Sequence, residues 1–227
     1  MTILLIFDVE TSGLISNNKK PLDLKNLDQY PYILQFSYVL YDLERKMVLE
    51  RYNKYIRNTI IEISPEITEL TGITKELLAE KGVYIEEALE SFKCAILHCK
   101  YMIAHNFEFD SKMIIIEIER NRLHLSPNCY SILSDIILPK SQRYYDTECT
   151  MQMTVDFCNL ERTNSRGVYK KLPRLSELYQ ILFDTTLENL HNSIVDVFAC
   201  LRCYLKFKYQ YTIEEAEFHA MIAEALS

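Results

Sequence analysis

The chain has 227 residues, 48% hydrophobic and 25% charged, which is long enough for one domain with a sizeable core. Its 32 acidic residues outnumber its 25 basic ones, and the net charge of −7 excludes a protein that coats nucleic acid through a general positive field. The early apolar run Ile3 to Phe7 is too short to span a membrane and lacks the basic flank and cleavage site of a secretion signal, so an intracellular protein (cytoplasm or nucleus) is expected, not secreted and with no membrane partner.

That apolar run reads as a buried first strand, Thr2 to Phe7, and Thr11-Ser12-Gly13 is the turn that follows it. Asp8 and Glu10 stand where the strand runs out. Being two apart on an extended chain, they point to one side of the sheet. Residues 15–31 form a long polar connection, of a length that is uncommon unless functional or mobile. Tyr32 to Tyr41 and Met47 to Ile56 are rich in β-branched and aromatic residues, with a turn at 42–46, and predict an antiparallel hairpin. Ser64-Pro65 starts a short helix that Gly72 closes, and Thr74 caps another.

From Ile85 to about Cys99, Ala88, Leu89, Phe92, Ala95 and Ile96 share one helical face. Tyr101 to Ala104 is a buried strand, and Asn106 caps a helix running to about Arg122 with Asp110 in its first turn. Residues 124–146, with Pro127, Pro139, Lys140 and Arg143, read as an excursion from the main fold. Asp146 to Phe157 reads as helix and Asn164 to Gly167 as a loop. Helices follow over Leu175 to Leu182, Ser193 to Tyr209 and Ile213 to Leu226, with His191 just before the second and Asp196 in its first turn. Strands come first and then alternate with helices, which predicts an α/β class with a central mixed sheet flanked by helices. The seven cysteines are scattered and odd in number, so free thiols are expected, and the Cys200 and Cys203 pair reads as core packing on an apolar helix rather than as a zinc site.

Each of the carboxylates Asp8, Glu10, Asp110 and Asp196 lies where an apolar element begins or ends, and ends of elements are where sheet enzymes build sites. Like charges this close at the edge of an apolar layer repel one another unless a cation sits between them. If the helices at 107 and 193 start near the end of the first strand, four carboxylates converge, enough for two divalent metals about 4 Å apart. Plainer readings stand beside this one. Asp196 could be a capping-box acid after Ser193, Asp110 could favour the positive end of its helix, and His191 could be a surface residue. Asp8 and Glu10 have no helix dipole to explain them.

Three segments in order resemble the DnaQ-like 3′ to 5′ exonucleases that carry the Asp-Glu-Asp-Asp-His (DEDDh) signature on an RNase H-like fold. They are Phe7-Asp8-Val9-Glu10-Thr11-Ser12-Gly13-Leu14, then Ile103-Ala104-His105-Asn106-Phe107-Glu108-Phe109-Asp110, then His191-Asn192-Ser193-Ile194-Val195-Asp196. A weaker match spans Ile63 to Thr74, where Thr71 replaces the histidine of many members. His191, five before Asp196, selects the histidine subclass over the tyrosine one.

The resemblance implies that 1–227 is a single exonuclease domain with longer connections near 15–31 and 124–146. It implies two Mg²⁺ (or Mn²⁺) ions held by Asp8, Glu10, Asp110 and Asp196, with His191 as general base and all five residues catalytic. It further implies contacts to the terminal nucleotide from Thr11, Ser12, Gly13, Leu14 and Asn106, where Leu14 would be an apolar wedge against the base or would pack under its own loop. Lys140, Arg143, Lys170, Lys171 and Arg174 offer phosphate contacts or a solvated charged face. The expected activity is release of nucleoside 5′-monophosphates from single-stranded DNA 3′ ends. Trimming of RNA ends and a catalytically silent binding module are the alternatives. No polymerase segment fits in this sequence, so a proofreading role would need a separate polymerase.

Overall fold

The pairing partner, not the apolar run, sets the length of the first strand. In the computed structural model, which describes residues 1–16, 20–137, 143–187 and 191–226, β1 runs from Ile3 to Thr11. It therefore carries Asp8 and Glu10 inside it rather than after Phe7. Strand β2 (Ile33–Asp42) is antiparallel to β1 along this whole length, with Asp8 opposite Ser37 and Glu10 opposite Gln35. A turn at 43–46 leads back into β3 (Met47–Tyr55), so the expected hairpin forms.

Short helices α1 (Pro65–Thr71) and α2 (Lys75–Lys81) follow, capped by the side chains of Ser64 and Thr74, and Gly72 ends α1 in a left-handed conformation at φ 72°. Helix α3 (Ile85–His98) buries the five predicted positions, Ala88, Leu89, Phe92, Ala95 and Ile96. Strand β4 (Tyr101–Ala104) lies parallel to β1 but pairs with it only from Leu4 to Ile6. Beyond Ile6 no strand among the described residues pairs with that side of the β1 backbone, and helix α4 (Phe107–Arg120) begins there.

Two readings of the next stretch need correction. Residues 124–146 are no excursion, since α5 (Pro127–Ser134), capped by Ser126, buries Cys129 and Leu133 in the core beside α3 and α4. Pro139 and Lys140 lie outside the described residues. Asp146 to Phe157 is not one helix either. Asp146–Cys149 is an edge strand, β5, parallel to β4, and only then come α6 (Thr150–Met153) and α7 (Val155–Cys158). The Asp-Thr-Glu-Cys segment has no apolar run to signal a strand, and the ladder offered by β4 decides the outcome. The loop at Asn164 to Gly167 is the tip of a separate hairpin, β6 (Glu161–Asn164) with β7 (Gly167–Lys170). Helices α8 (Leu175–Phe183), α9 (Ser193–Tyr209) and α10 (Glu215–Leu226) complete the chain.

The main sheet has the order β3-β2-β1-β4-β5, mixed as expected. Ile3, Leu5, Phe7 and Val9 face one layer with α3, α4 and α5, while Leu4 and Ile6 face α9 on the other side. Strand alternation puts Asp8 and Glu10 on the α9 side. Cys200 and Cys203 are buried in α9, and the seven cysteines are free thiols. Among the described residues no helix is long and apolar enough to cross a membrane.

The described part of the long connection before β2 is tied down. The partly buried Arg120 guanidinium donates to the carbonyls of Leu27 (2.8 Å), Tyr30 (2.6 Å) and Pro31 (2.8 Å), pairs with buried Glu117 at 2.7 Å, and stacks 3.7 Å above the Tyr32 ring. Replacing Arg120 with leucine leaves Glu117 buried without its cation, and is expected to cost about 3–5 kcal/mol of stability in denaturant titration.

Candidate active site

The site begins with how α9 is seated. Gln35 and Ser37 are buried polar residues on the α9 side of β2. Gln35 accepts from the Ser193 backbone N–H at 3.3 Å and donates to the Asn192 side chain at 3.2 Å, and the Ser37 and Ser193 hydroxyls lie 2.5 Å apart. Asn192 in turn caps α9 through its side chain. These bonds fix the first turn of α9, and Asp196 with it, over the carboxylates of β1. The sequence reading missed Gln35, Ser37 and Asn192. For Gln35 and Ser37 the signal was present, as polar residues at alternate positions of an otherwise apolar strand, and for Asn192 it was an N-cap residue type directly before an apolar helix.

His191 sits just outside the helix at φ 73°, a left-handed conformation that non-glycine residues rarely adopt. Its backbone N–H donates to Asp196 Oδ2 at 3.2 Å. One ligand atom each from Glu10, His191 and Asp196 lie within 4.8 Å of one another. Asp110, buried in the first turn of α4, accepts a hydrogen bond from the Val9 N–H, just past the last residue that β4 pairs. Asp8 feels the charges of Asp110, Asp196 and Glu10. The fold thus brings together all five residues singled out as catalytic.

Their electrostatics are those of anions crowded without a counterion. Burial, then the charges of Asp110, Asp196 and Glu10, pushes the Asp8 carboxyl well above its ordinary range. Burial lifts Glu10 to about 7, and burial with the Glu10 charge lifts Asp196 to about 8. Asp110 is likewise raised well above the ordinary carboxylate range by burial, with the Val9 N–H opposing. Burial and then the nearby Arg174 charge lower the proton affinity of His191.

Among the described residues no lysine or arginine pairs with any of the four carboxylates, and Asp196 Oδ1 is buried with no hydrogen-bond partner. A set of carboxylate oxygens with one imidazole suits a hard divalent cation such as Mg²⁺ or Mn²⁺. The orphaned Asp196 oxygen fits that group, because a metal supplies the partner it lacks.

The other predicted residues are placed as follows. Thr11 is buried and its hydroxyl donates to the Gly13 carbonyl at 2.7 Å. The Ser12 N–H donates to the Tyr32 carbonyl at 2.9 Å, and the Ser12 hydroxyl accepts from the Tyr32 N–H at 2.9 Å, so both groups are already engaged within the protein. Leu14 is 82% exposed, so packing under its own loop does not account for it. Asn106 occupies the cap position of α4 but makes no side-chain capping bond. His105 is structural, bonded to the Thr150 hydroxyl at 2.9 Å and the Pro173 carbonyl at 3.0 Å, with burial lowering its pKa to about 4. The Thr71 hydroxyl is spent locally, donating to Ile67 and accepting from Ile73.

A family model described as Exonuclease (RNase T) matches residues 5–204. The chain belongs to this exonuclease family. With the five-stranded mixed sheet, membership makes it a DnaQ-like 3′ to 5′ exonuclease relative of RNase H-like fold. Among solved structures this member of the family resembles E. coli Exonuclease I in complex with a dT13 oligonucleotide, with a TM-score of 0.63 and 17% identity over 92% of this chain and 42% of that one. It also resembles the zinc-bound form of the E. coli Exonuclease I complex with single-stranded DNA, with a TM-score of 0.61 and 16% identity over 100% of this chain and 45% of that one. The chain therefore spans less than half the length of these structures. No curated protein matches it significantly in sequence.

Proposed function

We propose that the chain is a metal-dependent exonuclease of the DEDDh type, a single domain over 1–227 that removes nucleoside 5′-monophosphates from the 3′ ends of single-stranded DNA. The observation that carries this reading is the approach of Glu10, His191 and Asp196 donor atoms to within 4.8 Å of one another, beside Asp8 and Asp110. Asp8, Glu10 and Asp196 would hold one divalent ion, and Asp8 with Asp110 would support a second. Bound there, such ions lower the pKa of water and offset the charge that grows on a phosphate under attack.

The chain's own groups supply the rest. The lowered proton affinity of His191 keeps its imidazole neutral near pH 7, as a general base for the attacking water must be. Thr11, Gly13 and the exposed Leu14 stand at the end of β1 where a terminal nucleotide would lie against the carboxylates. The oligonucleotide complexes among the related folds support a single strand as substrate. Release of mononucleotides from a 3′-labelled oligonucleotide is expected to stop in EDTA and to return with excess Mg²⁺ or Mn²⁺. Release that persists in EDTA would sink the metal reading. Running matched DNA and RNA strands in the same assay separates the deoxyribonuclease from an RNA trimmer, and binding without hydrolysis in either metal would mark a silent module.

A further inference from the structure

The segment from Glu161 to Arg174 reverses the charge of the molecule around it. It holds five cations, Arg162, Arg166, Lys170, Lys171 and Arg174, and one carboxylate, Glu161, in a chain whose net charge is −7. Its first ten residues form the β6–β7 hairpin, and every one of the eight strand residues is exposed. A two-stranded hairpin with no buried face contributes little to a core, so stability does not explain it.

The two faces of the hairpin differ. Glu161 pairs in register with Lys170, and Lys170 also binds Asp156 at 2.7 Å, so on that face the charges are matched. On the other face Arg162 lies opposite Tyr169. Together with Lys170, Lys171, Leu172 and Arg174 they line a concavity of about 370 Å³. Lys171 is engaged by Glu177, but among the described residues Arg162, Arg166 and Arg174 make no ion pair. An exposed aromatic ring flanked by unpaired guanidinium groups is the combination that stacks a base and holds the phosphates on either side of it.

The hairpin is also fixed relative to the active site. Its base is closed by the Lys171 N–H bonding the Leu160 carbonyl at 2.9 Å. The Pro173 carbonyl is held at 3.0 Å by His105, which is separated only by Asn106 from the first turn of α4 that carries Asp110. Arg174 stands close enough to His191 for the two charges to interact.

We propose that the hairpin face carrying Arg162 and Tyr169, with Arg174 at its base, is a docking arm for the single strand 5′ to the nucleotide being removed. The arm rests on the exonuclease reading of the carboxylate site and adds to it a second, upstream grip. Strand affinity is then concentrated in one basic, aromatic projection while the rest of the surface stays acidic, and a substrate too short to reach the arm gains nothing from it.

The test is the double variant Arg162→Ala with Tyr169→Ala. Both side chains lie on the exposed hairpin, so the variant is expected to melt with the wild type. In EDTA, its affinity for a fluorescent single strand of about 12 nucleotides should fall roughly tenfold, and the slope of log affinity against log salt should become shallower by about 0.7. With metal added, KM for that strand should rise with kcat unchanged, and hydrolysis of a dinucleotide should match the wild type. Unchanged affinity for the long strand overturns the arm, including the case in which this face serves a protein instead. An equal loss on dinucleotide and long strand overturns it as well. Because binding is read in EDTA, a wild type that binds but never hydrolyses would defeat the exonuclease reading while the arm is still judged on its own.

Discussion

Asp8→Asn is expected to abolish mononucleotide release and, at the same time, to raise the melting temperature of the metal-free protein. The loss of activity should exceed the 10²- to 10³-fold that removal of one transition-state donor costs, roughly, because Asp8 is the carboxylate that feels all three of the others. The gain in stability follows from the same crowding. Glu10 is lifted to about 7 and Asp196 to about 8 in the folded state, against values near 4 for exposed carboxylates. A group with a raised folded-state pKa holds its proton more tightly when folded. Its stabilisation is complete below the unfolded pKa and is lost as pH rises through the folded value. The metal-free wild type should therefore lose melting temperature between about pH 4 and pH 8. Asn at position 8 removes one charge from the cluster, so the decline should be shallower, and a relief of 1 kcal/mol corresponds to about 2–4 °C in a chain of this size. Divalent metal should raise the wild-type melting temperature at pH 8 and do less for the variant. Retained nucleotide release in Asp8→Asn would overturn the assignment of the site.

His191→Asn is expected to lower kcat by about 10²- to 10⁴-fold while oligonucleotide affinity stays near the wild-type value, the pattern for loss of a general base. Asparagine suits this position because it tolerates the left-handed backbone that His191 adopts at φ 73°. The N–H that binds Asp196 is a backbone group and survives the exchange. In the wild type the rate should fall on acidification through the lowered pKa of the imidazole, and that limb should vanish in the variant. Loss of affinity with kcat preserved would assign His191 a structural role.

The carboxylate site was legible because two of its members stand where no helix dipole explains them and the other two recur at helix starts. Asp8 and Glu10 interrupt a buried strand, and Asp110 and Asp196 repeat at the starts of two apolar helices. Most elements were legible for the same kind of reason, since α3 shows its buried stripe residue by residue and Ser64, Pro65 and Gly72 punctuate α1 at both ends. What escaped was whatever depends on a distant partner. Strand β5 is held by β4 rather than by its own Asp-Thr-Glu-Cys composition, and β1 runs on past Phe7 because β2 keeps pairing with it. The hairpin β6–β7 is exposed on both faces, so it has no alternation to betray it. The Arg120 clamp joins carbonyls about ninety residues away, and backbone carbonyls leave no mark in a sequence.

The early end of β4 gives the two residues His105 and Asn106 the character of a ruler. They span the whole gap between the last strand residue, Ala104, and the first turn of α4. Adding or deleting one residue there would turn the helix start by about 100° relative to the sheet and swing Asp110 away from Val9. The Val9 N–H would then be left without its acceptor, and the cluster would lose a charge in the same stroke. Length at this junction is therefore under two constraints at once, one from the backbone of β1 and one from the chemistry beside it. Changes that lengthen the chain are better tolerated on the exposed turn of the hairpin at Ser165 and Arg166, where the carboxylate cluster takes no part.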